Sequence, residues 1–195
     1  LGCGVSVMDL DQNGWDDIFF GNRAEGNIIC YYNDNMQFTR NVLFEAEGDY
    51  KTTLAADYDN DGDLDLLVTR DLDELILLNN DGSQNFTNVA VEAGLEQSDV
   101  AKSWGSTWFD ADNDGWLDLY VCNFNFDLLG DVEVKDWFFH SNGDGTFSIA
   151  TNEFGFTQII DPTFQASAFP MNDDDFLDLY VINDVTRPNK LFVSD

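Results

Sequence analysis

Asp57-Tyr58-Asp59-Asn60-Asp61-Gly62-Asp63-Leu64-Asp65 carries carboxylates at its first, third, fifth and ninth positions and glycine at its sixth. Odd spacing points alternate side chains into a tight turn, where their oxygens converge. Glycine at position six permits the positive φ that such a turn requires. Converging carboxylates repel, each pair by about a kcal/mol or more near a surface. A hard cation relieves that repulsion, and one that takes roughly six to eight oxygens fits best, which favours calcium over magnesium. The backbone carbonyl of Asp63, at position seven, would complete the set.

The nine-residue stretch recurs. Asp9 to Asp17 reads DLDQNGWDD, Asp110 to Asp118 reads DADNDGWLD, and Pro170 to Asp178 reads PMNDDDFLD. The flanks recur with it. Small and apolar residues precede each copy at Gly4 to Met8, Thr52 to Ala56, Gly105 to Phe109 and Gln165 to Phe169. Dense apolar runs follow: Ile18-Phe19-Phe20, Leu66-Leu67-Val68, Leu119-Tyr120-Val121 and Leu179-Tyr180-Val181. A third stretch spans Ile28 to Tyr32, Leu75 to Leu78, Trp137 to His140 and Lys190 to Val193. A fourth appears at Phe38-Thr39, Phe86-Thr87 and Phe147-Ser148. β-Branched and aromatic residues bounded by turn signals predict strands.

Each unit therefore reads as four short antiparallel strands with the acidic loop between the first and second. Roughly 45–60 residues in four strands is the size of one β-propeller blade, whose sheet must stack on neighbours to bury both faces. The expected fold is all-β, one propeller segment over residues 1–195. Its units are 1–50, 51–100, 101–160 and an incomplete 161–195. Glu92 to Val100 and Asn123 to Asp136 read as excursions between strands. Four blades with the last unfinished imply part of a larger propeller, or an arc completed by other chains. The opening Leu1-Gly2-Cys3-Gly4 lacks an initiator Met and a signal-peptide pattern, as expected of a mature or excised segment.

Composition narrows the function. Apolar residues make up 44% of the 195, so disorder is not expected despite a formal net charge of −30 from 38 acids and 8 bases. Such a surface repels nucleic acid and anionic lipid and attracts divalent cations or basic partners. No apolar run approaches a membrane span. Of three cysteines, none lies in a CxxC pair, so zinc–thiolate sites are not indicated. An odd count allows at most one internal disulfide, with Cys3 and Cys30 the nearest pair; the alternative is three buried small hydrophobes.

The runs DYDNDGDLDLLV at Asp57 to Val68, DADNDGWLDLYV at Asp110 to Val121 and SNGDGTF at Ser141 to Phe147 resemble the FG-GAP/VCBS repeat family. That family includes the integrin α-subunit propeller and secreted acidic proteins such as cartilage acidic protein. The resemblance covers essentially the whole chain and implies calcium in the loops on one rim of a propeller, seven-bladed if integrin-like. Carried over residue by residue, it implies three full sites. The first uses Asp9, Asp11, Asn13 and Asp17 with the Trp15 carbonyl. The second uses Asp57, Asp59, Asp61 and Asp65 with the Asp63 carbonyl. The third uses Asp110, Asp112, Asp114 and Asp118 with the Trp116 carbonyl. The fourth loop departs from the pattern, with Pro170 at position one and Asp175 in place of glycine. Only Asn172, Asp174 and Asp178 remain, and the site is expected to be weak or empty, its turn held by side-chain hydrogen bonds. An EF-hand is excluded, because position twelve is Phe20, Val68, Val121 or Val181 where a bidentate Glu is needed.

Catalysis finds little support. The lone histidine, His140, sits beside Phe139 and reads as a packed or rim residue, and no nucleophile elbow or phosphate loop is present. Trp15 and Trp116 read as caps on their loops, and Trp104 and Trp108 as core. Asn85-Phe86-Thr87 is the only N-glycosylation sequon. The function expected is an extracellular or cell-surface calcium-binding repeat protein acting in adhesion, matrix or surface assembly. Its partners would be other proteins or further copies of itself, with no nucleic acid and no membrane insertion. The alternatives are a carbohydrate-binding module of a secreted protein, or a subunit of an extracellular polymer completed by strand addition.

Overall fold

The computed structural model describes residues 4–22, 24–71, 73–96, 102–124, 135–156, 161–184 and 187–194. They form fifteen strands and, among the described residues, no helix. Strands β1 (Val5–Met8), β2 (Asp17–Asn22), β3 (Asn27–Asp34) and β4 (Gln37–Glu45) pair in chain order as one antiparallel sheet. The second sheet holds β5 (Tyr50–Ala56), β6 (Asp65–Arg70), β7 (Ile76–Asn80) and β8 (Phe86–Asn88). The third holds β9 (Ser103–Phe109), β10 (Asp118–Asn123), β11 (Trp137–Ser141) and β12 (Phe147–Ile149). The fourth holds β13 (Thr163–Phe169), β14 (Asp178–Asn183) and β15 (Lys190–Phe192).

The fourth strand of the first sheet is longer than its Phe38-Thr39 signal. Asn35 and Met36 both take positive φ, 50° and 67°, in a two-residue turn. That turn type matches the natural twist of a hairpin. The tight reversal lets β4 pair along the whole of β3, from Asp34↔Gln37 to Asn27↔Glu45.

Packing explains the dense apolar runs. Every residue of β6 and of β10 is buried. Leu66 and Val68 pack with Phe19, Ile28 and Cys30 of the first sheet. Leu67 turns the other way and packs with Leu119, Val121 and Phe139 of the third. Tyr120 and Cys122 then meet Leu179 and Val181 of the fourth. The two middle sheets are covered on both faces, which forces a continuous run in place of alternation. In β2 burial alternates: Phe19 is fully buried while Ile18 and Phe20 are half-exposed. Fully burying each large apolar side chain contributes about 1.5–3 kcal/mol. Cys30 is one of these core residues and carries a free thiol. A thiol with no exposed surface packs here as a small hydrophobe. Cys3 itself lies outside the described residues, as do parts of both expected excursions.

The sheets meet along their first strands, β1 with β5, β5 with β9 and β9 with β13. A first strand has one edge without a ladder partner, and side chains from the neighbouring sheet serve it. Ser6 Oγ donates to the Thr53 carbonyl, Thr52 Oγ1 to Trp104 O at 2.8 Å, and Gln165 Nε2 to Ser106 O at 3.1 Å. Trp104 stacks on Phe124 with centroids 4.4 Å apart, and Lys51 lies over its ring. Trp108 packs between Tyr58 and Phe147. Gly105 lets β9 and β13 approach, since a Cβ there would strike the Phe164 carbonyl oxygen. At the far end of the third sheet, buried Asp136 accepts from Asn123 N at 2.7 Å, Tyr120 Oη at 2.8 Å and Thr163 Oγ1 at 2.6 Å. Burial pushes its carboxyl up to about 7, against the opposing pull of those donors.

Two expectations follow. Gly105→Ala is expected to destabilise the chain by more than about 1 kcal/mol in urea denaturation, because the obstructing atom is backbone. The Asp136 carboxyl binds its proton more tightly folded than unfolded. Its contribution to stability is therefore fully present below its ordinary acidic value and is lost as pH rises through about 7. Asp136→Asn should flatten the fall in metal-free stability between roughly pH 4 and 7; an unchanged slope would refute this assignment.

Candidate metal centres

The four loops between first and second strands share one scaffold, and backbone geometry shapes it. In the first three, position six is glycine at φ 91°, 96° and 90°. Position four is left-handed as well: Gln12 at 56°, Asn60 at 57° and Asn113 at 59°. These turns aim consecutive N–H groups at the position-one carboxylate. Asp9 accepts from Asn13 N and Gly14 N at 2.9 and 2.7 Å. Asp57 accepts from Asp61 N and Gly62 N at 3.0 and 3.1 Å, and Asp110 from Asp114 N and Gly115 N at 3.1 and 2.9 Å. The position-five side chains of Asn13, Asp61 and Asp114 accept from the N–H of Trp15, Asp63 and Trp116, which fixes those peptides.

Position nine opens each second strand and is almost wholly buried: Asp17, Asp65, Asp118 and Asp178 are each at most 1% exposed. One oxygen accepts from position two of the same loop, at Leu10, Tyr58, Ala111 and Met171. The other accepts from the N–H of Asn33, Asn80 and Ser141 on the third strand, and of Ser194 just beyond it.

Carboxylate oxygens within 4.8 Å of one another come from Asp9, Asp11 and Asp17 in loop one, from Asp57, Asp59 and Asp61 in loop two, and from Asp110, Asp112 and Asp118 in loop three. Oδ1 of Asp11 and Oδ1 of Asp59 are buried without a hydrogen-bond partner. Buried charged oxygens without a partner are costly, and a cation among them removes the cost. The donor set is all oxygen, which suits calcium. Among the described residues the Lys and Arg ion pairs, such as Arg40–Glu25, Lys51–Asp71 and Arg70–Asp73, lie outside the loops. Among the described residues, Lys and Arg therefore leave these carboxylates unneutralised. Burial accordingly raises Asp17 and Asp59 above the ordinary carboxylate range, and pushes Asp65 to about 7 and Asp118 to about 6.

Loop four differs where its sequence differs. Pro170 supplies no carboxylate, and neither Asp173 nor Asp175 adopts the left-handed conformation. Asn172 Nδ2 donates to Asp174 Oδ2 at 2.6 Å, and Asp174 accepts from Phe176 N at 2.9 Å. Among the described residues this loop gathers no group of three converging carboxylates.

Several contributors lie outside the ligand pattern. Position-four amides cross to the next loop: Gln12 Nε2 donates to Gly62 O at 2.6 Å, Asn60 Nδ2 to Gly115 O at 3.2 Å, and Asn113 Nδ2 to Asp175 O at 2.7 Å. Position-three carboxylates are held from outside too. Gln84 reaches Asp11 at 3.2 Å, Asn79 reaches Asp59 at 3.0 Å, and His140 Nε2 lies 3.0 Å from Asp112 Oδ2. The amide in three of the four position-four slots was visible as a pattern; the others are long-range. Trp116 rests on the β11–β12 turn at Gly143, and Asp63 on the β7–β8 turn at Gly82, while Trp15 is 41% exposed. The side chain of Asn85 is exposed and its Nδ2 donates to Asp81 Oδ2 at 2.9 Å.

Residues 9–68 and 57–121 match the sequence profile of the FG-GAP-like repeat. No curated protein is similar enough in sequence to stand as a relative. Among solved structures, the chain is similar to an Agrocybe aegerita lectin described as specifically recognising non-reducing terminal N-acetylglucosamine, at 16% identity and a TM-score of 0.55. It is also similar to the V. cholerae biofilm matrix protein Bap1, at 16% identity and a TM-score of 0.54. Both likenesses cover 91% of this chain but only 46% of the lectin chain and 23% of the Bap1 chain. At that identity they speak to the fold.

Asp178 separates bracing from metal binding, since its loop has no converging group. Asp178→Ala is expected to cost about 2–4 kcal/mol in chelator, the loss of two charge-assisted hydrogen bonds from a buried site. Denaturation equal to the parent chain would show that position nine serves the metal alone.

Proposed function

The chain belongs to the FG-GAP-like repeat family, and from that premise we propose that it is a calcium-binding β-propeller segment that works outside the cell in adhesion, matrix or surface assembly. The observation that carries the reading is the buried, unpartnered Oδ1 of Asp11 and of Asp59 inside converging carboxylate groups. Calcium would bind loops one to three through Asp9, Asp11, Asn13 and Asp17, through Asp57, Asp59, Asp61 and Asp65, and through Asp110, Asp112, Asp114 and Asp118. Loop four would hold it weakly or not at all. The ion's work is structural: it holds each loop against carboxylate repulsion and so fixes the rim. Loops of this kind, with few ligands from elsewhere, suit calcium-rich extracellular fluid. The role is binding through protein–protein contacts, without catalysis, and the four sheets form part of a larger ring of seven blades.

A second reading is a carbohydrate-binding module, favoured by the likeness to the N-acetylglucosamine-recognising lectin. A glycan array decides between them, since binding to one terminal sugar class would favour the module. For calcium, millimolar ion is expected to raise Tm by several degrees over EGTA, roughly 4 °C or less per kcal/mol at this length. An unchanged Tm sinks the structural-calcium reading.

A further inference from the structure

The third loop differs from the first two in what stands beside it. The residue just before the N–H that bonds position nine is Tyr32 in unit one, Asn79 in unit two and His140 in unit three. In units two and three the side chain in that register meets the position-three carboxylate, Asn79 at Asp59 and His140 at Asp112, and of these only His140 offers a nitrogen able to bind a metal. The imidazole Nε2 lies 3.0 Å from Asp112 Oδ2. The ring is held from behind by Phe154, with centroids 5.3 Å apart, and its strand pairs His140 with Ser148. Asp112 Oδ1 accepts from Asp114 N at 3.3 Å, which leaves Oδ2 for the imidazole side. Asp114 Oδ1 accepts from Trp116 N, which leaves its second oxygen available. Donor atoms of Asp112, Asp114 and His140 all lie within 4.8 Å of one another. The side chains of His140 and Asp112 are 26% and 39% exposed, so an ion reaches them from solvent.

We propose that His140, Asp112 and Asp114 form a mixed nitrogen–oxygen site for a divalent transition ion such as Zn²⁺, specific to the third loop. Imidazole with carboxylates is a donor set for Zn²⁺ and its neighbours, whereas Ca²⁺ takes oxygen. Three protein ligands with positions left for water is a familiar zinc arrangement. Two of the three donors belong also to the loop's oxygen set, so Zn²⁺ competes with Ca²⁺ there and at neither of the other loops.

His140 is the only histidine in the chain, so one imidazole signal reads the site directly in an untagged protein. Zn²⁺ titrated into the protein at low, fixed calcium is expected to shift that imidazole's nitrogen resonances, and raising calcium is expected to reverse the shift. His140→Asn copies the residue of unit two. Loss of a mere supporting partner costs a metal site about 10–100-fold, so removing a direct ligand should weaken Zn²⁺ by at least about tenfold. Calcium binding in the variant should be largely retained, because an asparagine in this register supports the position-three carboxylate of unit two, where Asn79 donates to Asp59. An imidazole that ignores Zn²⁺, or Zn²⁺ affinity equal in the variant, overturns the proposal. If the variant fails to fold, the parent chain's imidazole spectrum alone decides. A separate calcium titration without zinc keeps the two readings apart, since zinc binding to a chain that ignores calcium would leave this inference standing.

Discussion

Each unit hangs on one buried carboxylate. The aspartate at position nine has almost no exposed surface, yet both its oxygens accept backbone N–H groups, one from the loop it closes and one from the third strand or just past its end. That pair of bonds ties the loop, the second strand and the third into one piece. Desolvating a carboxylate is expensive unless it is hydrogen-bonded or neutralised, and the rise of Asp65 and Asp118 above the ordinary range measures what remains uncompensated. The loops are thus where stability and ion chemistry meet. The same residue that braces the sheet carries a charge that the brace alone does not neutralise.

Two kinds of contact join the units. Apolar side chains interleave from sheet to sheet, with Leu66 and Val68 facing one neighbour and Leu67 the other. Polar side chains cross at the rim and along the first strands. Gln12, Asn60 and Asn113 each cap a carbonyl of the next loop, so the conformation of one loop bears on its successor. The apolar contacts set how tightly the sheets stack, and the polar ones set which strand faces which.

Much of this was legible in the sequence because its cause is local. Strand signals, the period of the units and the inward set of odd-numbered carboxylates depend on neighbours a few residues away. So does the decay of loop four, where Pro170 and Asp175 remove an acceptor and a flexible residue. What escaped depends on partners far along the chain. Of the two readings open for the cysteines, the buried small hydrophobe holds for Cys30 because it faces the second sheet, a fact that no spacing encodes. His140 read as a packed or rim residue, and what escaped was its partner, since Asp112 lies in the loop before the preceding strand. The left-handed residue at position four also carries an amide that bonds the next loop, a contact made 50 or more residues away.

The three hydrogen bonds between successive acidic loops run one way. Each has its donor at position four of the earlier loop and its acceptor at position six of the later one, so each of the first three units carries the donor half of a joint and the second and third carry both halves. A joint of that polarity is self-compatible. A copy of the unit inserted beside its parent already holds the groups needed to engage on either side. Growth of such a protein by duplication of one coding segment then needs no new interface to arise, and a unit that drifts, as the fourth has at Pro170, can lose its ion-binding character while its Asp175 carbonyl still receives its neighbour.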